Sequence, residues 1–190
     1  MSLPSRVVGL LTRPNEEWAV IAGERSDAES IYRGHIALLA AIPAVATLAG
    51  LAISGGRYLG ATGIVTAVTA AIVGYAVTMA LPLVTAVVIA ALASRFKSDA
   101  GINETLKVVA YAMTPFWLSG ICYLFVALSP LVFVGLAYGL YLFFLGTTPV
   151  MGTPVEQRVP LTLIAAIVLL VSSIAINWIV GLLRLPHYGF

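Results

Sequence analysis

The sequence predicts an all-α polytopic membrane protein: five transmembrane helices behind a short amphipathic N-terminal cytoplasmic segment. Three observations carry that class. Of the 190 residues 61% are hydrophobic and only 9% are charged, against about 25% charged in an ordinary soluble domain. Mean hydropathy is +1.03, too apolar for a chain that must cover itself with a charged surface. Several apolar stretches approach or exceed the ~20 residues that cross a ~30 Å hydrocarbon layer as a helix. Backbone polar groups inside lipid must be satisfied within the structure, so stretches this long are helices. No short segments of alternating polarity suggest a barrel.

Residues 1–33 form the cytoplasmic segment. They hold nine charges, Arg6, Arg13, Glu16, Glu17, Glu24, Arg25, Asp27, Glu29 and Arg33. The run SRVVGLLTRPNEEWAVIAGE reads as two short helices. Pro14 suits the first turn of the second, and Glu16 and Glu17 are favourable beside its positive N-terminus. Trp18 and Ile21 then share one face. That face is expected to touch either the headgroup layer, where indoles partition, or the underside of the bundle. The apolar run Val7–Leu11 is too short for a secretory h-region, so no cleavable signal is expected.

The transmembrane domain, residues 34–190, is expected to span at about 34–53, 62–93, 108–128, 131–146 and 161–183. The second stretch is too long for one upright span and is expected to tilt or bend at Gly74 or Pro82. The third and fourth form a hairpin about Ser129-Pro130. Arg6, Arg13, Arg25, Arg33, Arg95, Lys97, Lys107 and Arg158 fall on one side in this topology, and Arg57 and Arg184 on the other. Positive residues stay cytoplasmic, which places the N-terminus inside and the C-terminus outside.

Three patterns occur in order along the chain: RPNEEWAVIAGE with IYRGHIALLAAIPA, TLKVVAYAMTPFWLSGI, and YGLYLFFLGTTPVMGTPVEQR. Together they resemble the bacterial branch of the Yip (Ypt/Rab-interacting protein) integral membrane family. The resemblance implies five spans, a cytoplasmic N-terminus and an inner-membrane location. Eukaryotic members bind prenylated Rab-type GTPases. This chain lacks their long cytoplasmic extension, and bacterial members have no Rab partner, so that function is not carried over.

The span interiors contain no Asp, Glu, Lys, Arg or His, which would otherwise mark a proton or ion path. His35 reads as an interfacial residue. No catalytic triad, carboxylate pair or metal cluster assembles, so neither an enzyme nor a cofactor is expected. Cys122 is the single cysteine and reads as a small hydrophobe. Pro43, Pro82 and Pro115 lie in one layer just short of the midplane. Pro115 deprives the Tyr111 carbonyl of its helical partner, and Thr114 is placed to bond back to Ala110. The kinks are either packed by side chains, with Tyr111 and Trp117 as filler, or splayed into a cavity lined by Thr47, Thr78, Tyr111 and Thr114. Ser173 and Asn177 share a helix face, as an interhelical clamp or as ligand groups. Gly135 and Gly139 form a GxxxG motif for close helix approach, within the subunit or between copies.

The expectation is a non-catalytic scaffold that organises membrane or binds a partner through its N-terminal segment. The rival is a small permease or lipid-transport protein using the kinked cavity. Membrane lipids, a membrane protein partner or a second copy are the expected partners, and the net charge of +2 gives no reason to expect nucleic acid.

Overall fold

A computed structural model describes residues 2–25, 27–53 and 60–182. Every regular element among them is helical. The N-terminal helices are α1 (Leu3–Thr12), α2 (Pro14–Gly23) and α3 (Ala28–Ile31). A π-helical turn over Tyr32–Ile36 leads into α4 (Ala37–Ile53). Then come α5 (Gly60–Leu92), α6 (Ile102–Ala112), α7 (Thr114–Ser119), α8 (Val132–Met151) and α9 (Val155–Leu182). Arg57, Arg184 and His187 lie outside the described residues.

Among the described residues four stretches are long and apolar enough to cross a membrane: Ala28–Ile53, Gly63–Phe96, Ala127–Met151 and Val155–Ile176. The third span expected from the sequence is not one of them. Its residues are divided among α6, α7 and two 3-10 turns, Gly120–Leu124 and Val126–Leu131. The physical cause is local. Pro115 has no N–H, so α6 stops at Ala112 and α7 restarts with the proline in its first turn. The second half of the broken segment, α7 and the turn after it, packs along α4. At the segment's start the Lys107 ammonium bonds the Glu24 carbonyl, 2.6 Å. At its end the carbonyls of Tyr123 and Leu124 lie against Gly50, where a Cβ would meet them at 2.6 and 2.7 Å.

The last two spans differ in their bounds. α8 continues past Gly146 to Met151, with Pro149 inside it, and ends on Gly152 at φ 65°, whose N–H bonds the Thr148 carbonyl. This left-handed cap is where glycine carries no steric cost. α9 begins at Val155 and keeps Pro160 near its start.

Pro43 and Pro82 stay within unbroken helices. Of the two alternatives, packed kinks or a splay, the packed one fits these two prolines, both of which are buried. Pro43 is buried, and its ring lies on Gly120 so closely that a Cβ there would meet Cγ at 2.5 Å. Small residues thus let the kinked region close rather than open. Gly139 packs on the Ala112 carbonyl, 2.7 Å from its notional Cβ, and Gly135 on the Pro115 carbonyl and the Ser119 hydroxyl. The GxxxG of α8 is spent inside the subunit, against the α6–α7 break.

Candidate functional site

The N-terminal segment does not lie apart from the bundle. The α1–α2 hairpin packs lengthwise on α8. Its tip is held where the Tyr138 hydroxyl reaches the Leu10 and Leu11 carbonyls at 3.3 and 3.2 Å. Two turns further along α8, Trp18 covers Gly146, where a Cβ would lie 2.9 Å from the indole. Trp18 is 1% exposed and Ile21 fully buried. The membrane-surface contact expected for these two residues is therefore corrected: their shared face turns into the protein core, because Gly146 leaves a slot the size of an indole.

A largely buried charged cluster lies beneath the hairpin. Arg6, 5% exposed, donates from Nη1 to Glu17 Oε1 at 2.6 Å and from Nη2 to Glu24 Oε1 at 2.5 Å. Gly9 makes room, since a Cβ there would collide with the Glu17 carboxylate. Lys107, itself buried, donates to the carbonyls of Glu24 and Ile21 at 2.6 and 3.4 Å. It thereby sets a cation at the carbonyl end of α2, the favourable end for positive charge. Tyr138 and Lys107, from α8 and α6, thus cap the last carbonyls of α1 and α2 in turn.

The cluster leads into an aromatic column. The Arg6 guanidinium stands 5.6 Å from the Tyr111 ring centroid. Tyr111 meets His35 edge-on at 4.5 Å, and His35 meets Trp117 at 6.2 Å. His35 Nε2 and Thr114 Oγ1 share a hydrogen bond of 2.8 Å. This replaces the expected bond from Thr114 back to Ala110: the break at Met113 turns the hydroxyl toward the π-helical turn that leads into α4. Trp18 joins Tyr111 from the other side at 6.4 Å. The indole N–H groups of Trp18 and Trp117 are buried without a hydrogen-bond partner, so packing, not polar satisfaction, fixes these rings.

Of the expected cavity set, Tyr111, Thr114, Pro115 and Trp117 are together here, with Thr114 and Trp117 fully buried. Thr47 and Thr78 are elsewhere. Their hydroxyls return to the carbonyls of Pro43 and Gly74 at 2.8 Å each, and neither lines the two clefts described below. Ser173 donates to the Leu170 carbonyl, and the Asn177 side chain lies outside those described.

Two adjoining clefts open at this end of the bundle. The larger, about 740 Å³, lies among Glu24, Arg25, Asp27, Asn103, Glu104 and Lys107. The smaller, about 330 Å³, shares Glu24 and Arg25 and runs in past Arg6 to His35 and Tyr111. Their walls carry both signs of charge. The carboxylates also have structural work. Asp27 accepts the Ser30 N–H at 3.0 Å and caps α3, and Glu104 accepts the Gly101 N–H at 3.1 Å and caps α6. The Ser30 hydroxyl and N–H hold the Asp27 carboxyl below its ordinary value. Among the described residues no group of three or more His, Cys, Asp or Glu side chains is placed to hold a metal ion.

The sequence reading missed Arg6, Glu17, Glu24, Lys107 and His35 as a unit. One signal was available: Glu17, on α2, and Glu24, just past its end, both come opposite Arg6 if the two short helices fold back on each other.

Residues 8–176 match the Yip1 domain. The chain is 31% identical over 153 residues to the inner membrane protein YohC of Escherichia coli strain K12, covering 75% of this chain and 76% of that relative. It is equally similar to the YohC of E. coli O6:H1. No solved structure matches.

Proposed function

The chain belongs to the Yip1 domain family, and from that premise we propose that it is a non-catalytic inner-membrane scaffold that binds a membrane protein partner at its N-terminal face. The observation that supports this most is the largely buried ion cluster of Arg6, Glu17 and Glu24. It closes α1 onto α2 and the loop that follows, and Lys107 ties that loop to α6, so Arg25, Asp27, Asn103 and Glu104 are presented together as one mixed-charge surface. Burying ions costs several kcal/mol each before pairing recovers it. Such an arrangement suits fixing one geometry more than it suits adding stability.

In this proposal the broken α6–α7 segment is a fifth crossing, because it begins level with Glu24 and ends level with Gly50. The N-terminus is then cytoplasmic and the C-terminus periplasmic. A reporter active only in the cytoplasm gives signal at Lys97 and none after Phe190; signal at both positions removes the fifth crossing.

A permease is the second reading, favoured by one observation: the smaller cleft reaches Tyr111 of α6 and His35, which lies inside the first long apolar stretch. Against it, the threonines below the kinks are bonded to their own helices, and Trp18 and Trp117 close the path. The test is co-purification in mild detergent of the wild type beside Arg25→Glu and Asp27→Arg, with bound proteins and lipids identified. A stoichiometric protein retained by the wild type and lost from both variants supports the scaffold. No retained protein, together with solute flux in liposomes that His35→Trp abolishes, overturns it in favour of the permease.

A further inference from the structure

The polar boundary of the bundle sits at different heights on its two flanks. On the hairpin flank it is high. Arg33 and Glu29 pair at 2.9 Å with side chains 81% and 65% exposed, at the start of the first span. The hairpin tip carries Arg13 and Glu16, 74% and 75% exposed. On the α5 flank it is low. Two hydrogen bonds fix the antiparallel register of the first two spans: Tyr32 Oη donates to the Met79 carbonyl and Tyr75 Oη to the Ala37 carbonyl, both at 3.0 Å. The paired residue numbers add to nearly the same value, so Arg33 is level with Thr78 or Met79.

Past that level α5 continues without a charge to Arg95. Its exposed residues there are Ala80, Leu83, Val84, Val87, Val88 and Ala91. They recur at three and four, the spacing of one helix face. The same face further back carries Ile64, Val65, Val68 and Ile72. From the level of Arg33 to Ala91 is twelve residues of helix, about 18 Å at 1.5 Å per residue. α9, which packs on α5, exposes Val159 and Leu163 near the same end. The hairpin lies on the far side of α8 and α6 from this face.

We infer that the α5–α9 flank is lipid-covered down to Ala91, so that the hydrocarbon boundary slants across the molecule by about 18 Å and the hairpin tip stands in a local depression of the bilayer. Lipid is the occupant because the stripe is continuous with the lipid-facing stripe of the same unbroken helix, and no charge or cap marks a boundary before Ser94 and Arg95. A hydrophobic face longer than the bilayer is thick is accommodated by tilting or by local change in thickness. Here one flank is long and the other short, so the slant is built into the protein.

The test is spin-label accessibility in the full chain with Cys122→Ala, reconstituted in phosphatidylethanolamine–phosphatidylglycerol vesicles. Single cysteines replace Val84, Val87 and Val88, with Glu16 and Arg33 as references. The expected result is collision with oxygen several-fold above collision with a water-soluble nickel chelate at the three α5 sites, and the reverse at both references. Nickel access at the α5 sites overturns the inference by placing that face in water. Low access to both reagents overturns it by placing the face against a second copy or another protein. The measurement reads only lipid and water contact, so it stands apart from whether a partner is retained at the N-terminal face.

Discussion

Replacing Arg6 with alanine leaves the Glu17 carboxylate, whose side chain is 9% exposed, without the cation that accompanies it. Breaking a buried pair from one side costs about 3–5 kcal/mol. The anchors that hold the hairpin are Leu10, Trp18 and Ile21, each buried to within 1%, and at about 2 kcal/mol per buried apolar side chain they contribute roughly 6 kcal/mol. The loss is thus comparable with the docking energy and smaller than that of a whole bundle. The expected outcome is release of α1 and α2 with α4, α5, α8 and α9 intact. In a background with Trp117→Phe and Trp178→Phe, Trp18 emission shifts to the red and becomes open to iodide, while far-ultraviolet circular dichroism changes little. Arg6→Met with Glu17→Met restores protection, because two apolar groups of similar shape replace the pair. If Arg6→Ala leaves Trp18 shielded and the melting midpoint in mild detergent unmoved, the cluster does not hold the hairpin and the scaffold reading loses its support.

Gly139→Leu drives a side chain onto the Ala112 carbonyl, 2.7 Å from the notional Cβ, and overpacking of this kind costs about 1–3 kcal/mol; a lowered melting midpoint with an unchanged monomer mass checks that the motif works within the subunit. Gly146→Val meets the Trp18 ring at 2.9 Å and is expected to release Trp18 as Arg6→Ala does, measured by the same iodide quenching. Thr114→Val leaves a nitrogen of the buried His35 without its 2.8 Å partner, costing about 1–3 kcal/mol. In a double-mutant cycle with His35→Phe the second change then costs much less than it does alone.

The class of fold was legible because it rests on summed hydropathy, which needs no knowledge of contacts. The four long helices follow from the same sum. The bend expected at Pro115 is a full break between α6 and α7: apolarity fixes which residues avoid water, whereas a missing N–H decides whether they share one helix. At Pro43 and Pro82 the same missing N–H left the helix unbroken, and what differs is the packing partner, Gly120 under Pro43 and the Gly135–Gly139 face under the α6–α7 break. The charged cluster was illegible for a related reason. Arg6 and Lys107 count as topology signals until the hairpin is folded back, since burial of a charge is decided by residues far away in sequence. Lys107 meets Glu24 from 83 positions away, and no periodicity within either segment encodes that.

The break in α6–α7 and the docked hairpin depend on each other. An unbroken helix through Met113 would carry Thr114 past α4 and leave His35, 4% exposed, without its hydroxyl. The break turns Thr114 to His35 and stacks Tyr111 between His35 and Arg6. Tyr111 is therefore the ring through which Arg6 touches the spans, beside the Lys107 bond to the Glu24 carbonyl. Anything that pulls Arg6 from Glu17 and Glu24 exposes one face of Tyr111, and anything that straightens the break at Met113 removes the other. Under the proposed scaffold role, a partner seated on Arg25, Asp27 and Glu104 would be coupled to the bundle through this line of side chains. The coupling has a direct readout: release of the hairpin by Arg6→Ala is expected to increase hydrogen exchange of the α6 amides Val108–Ala112 and to leave those of α9 unchanged. Equal exchange in α6 with and without the docked hairpin would show that the column is only filler.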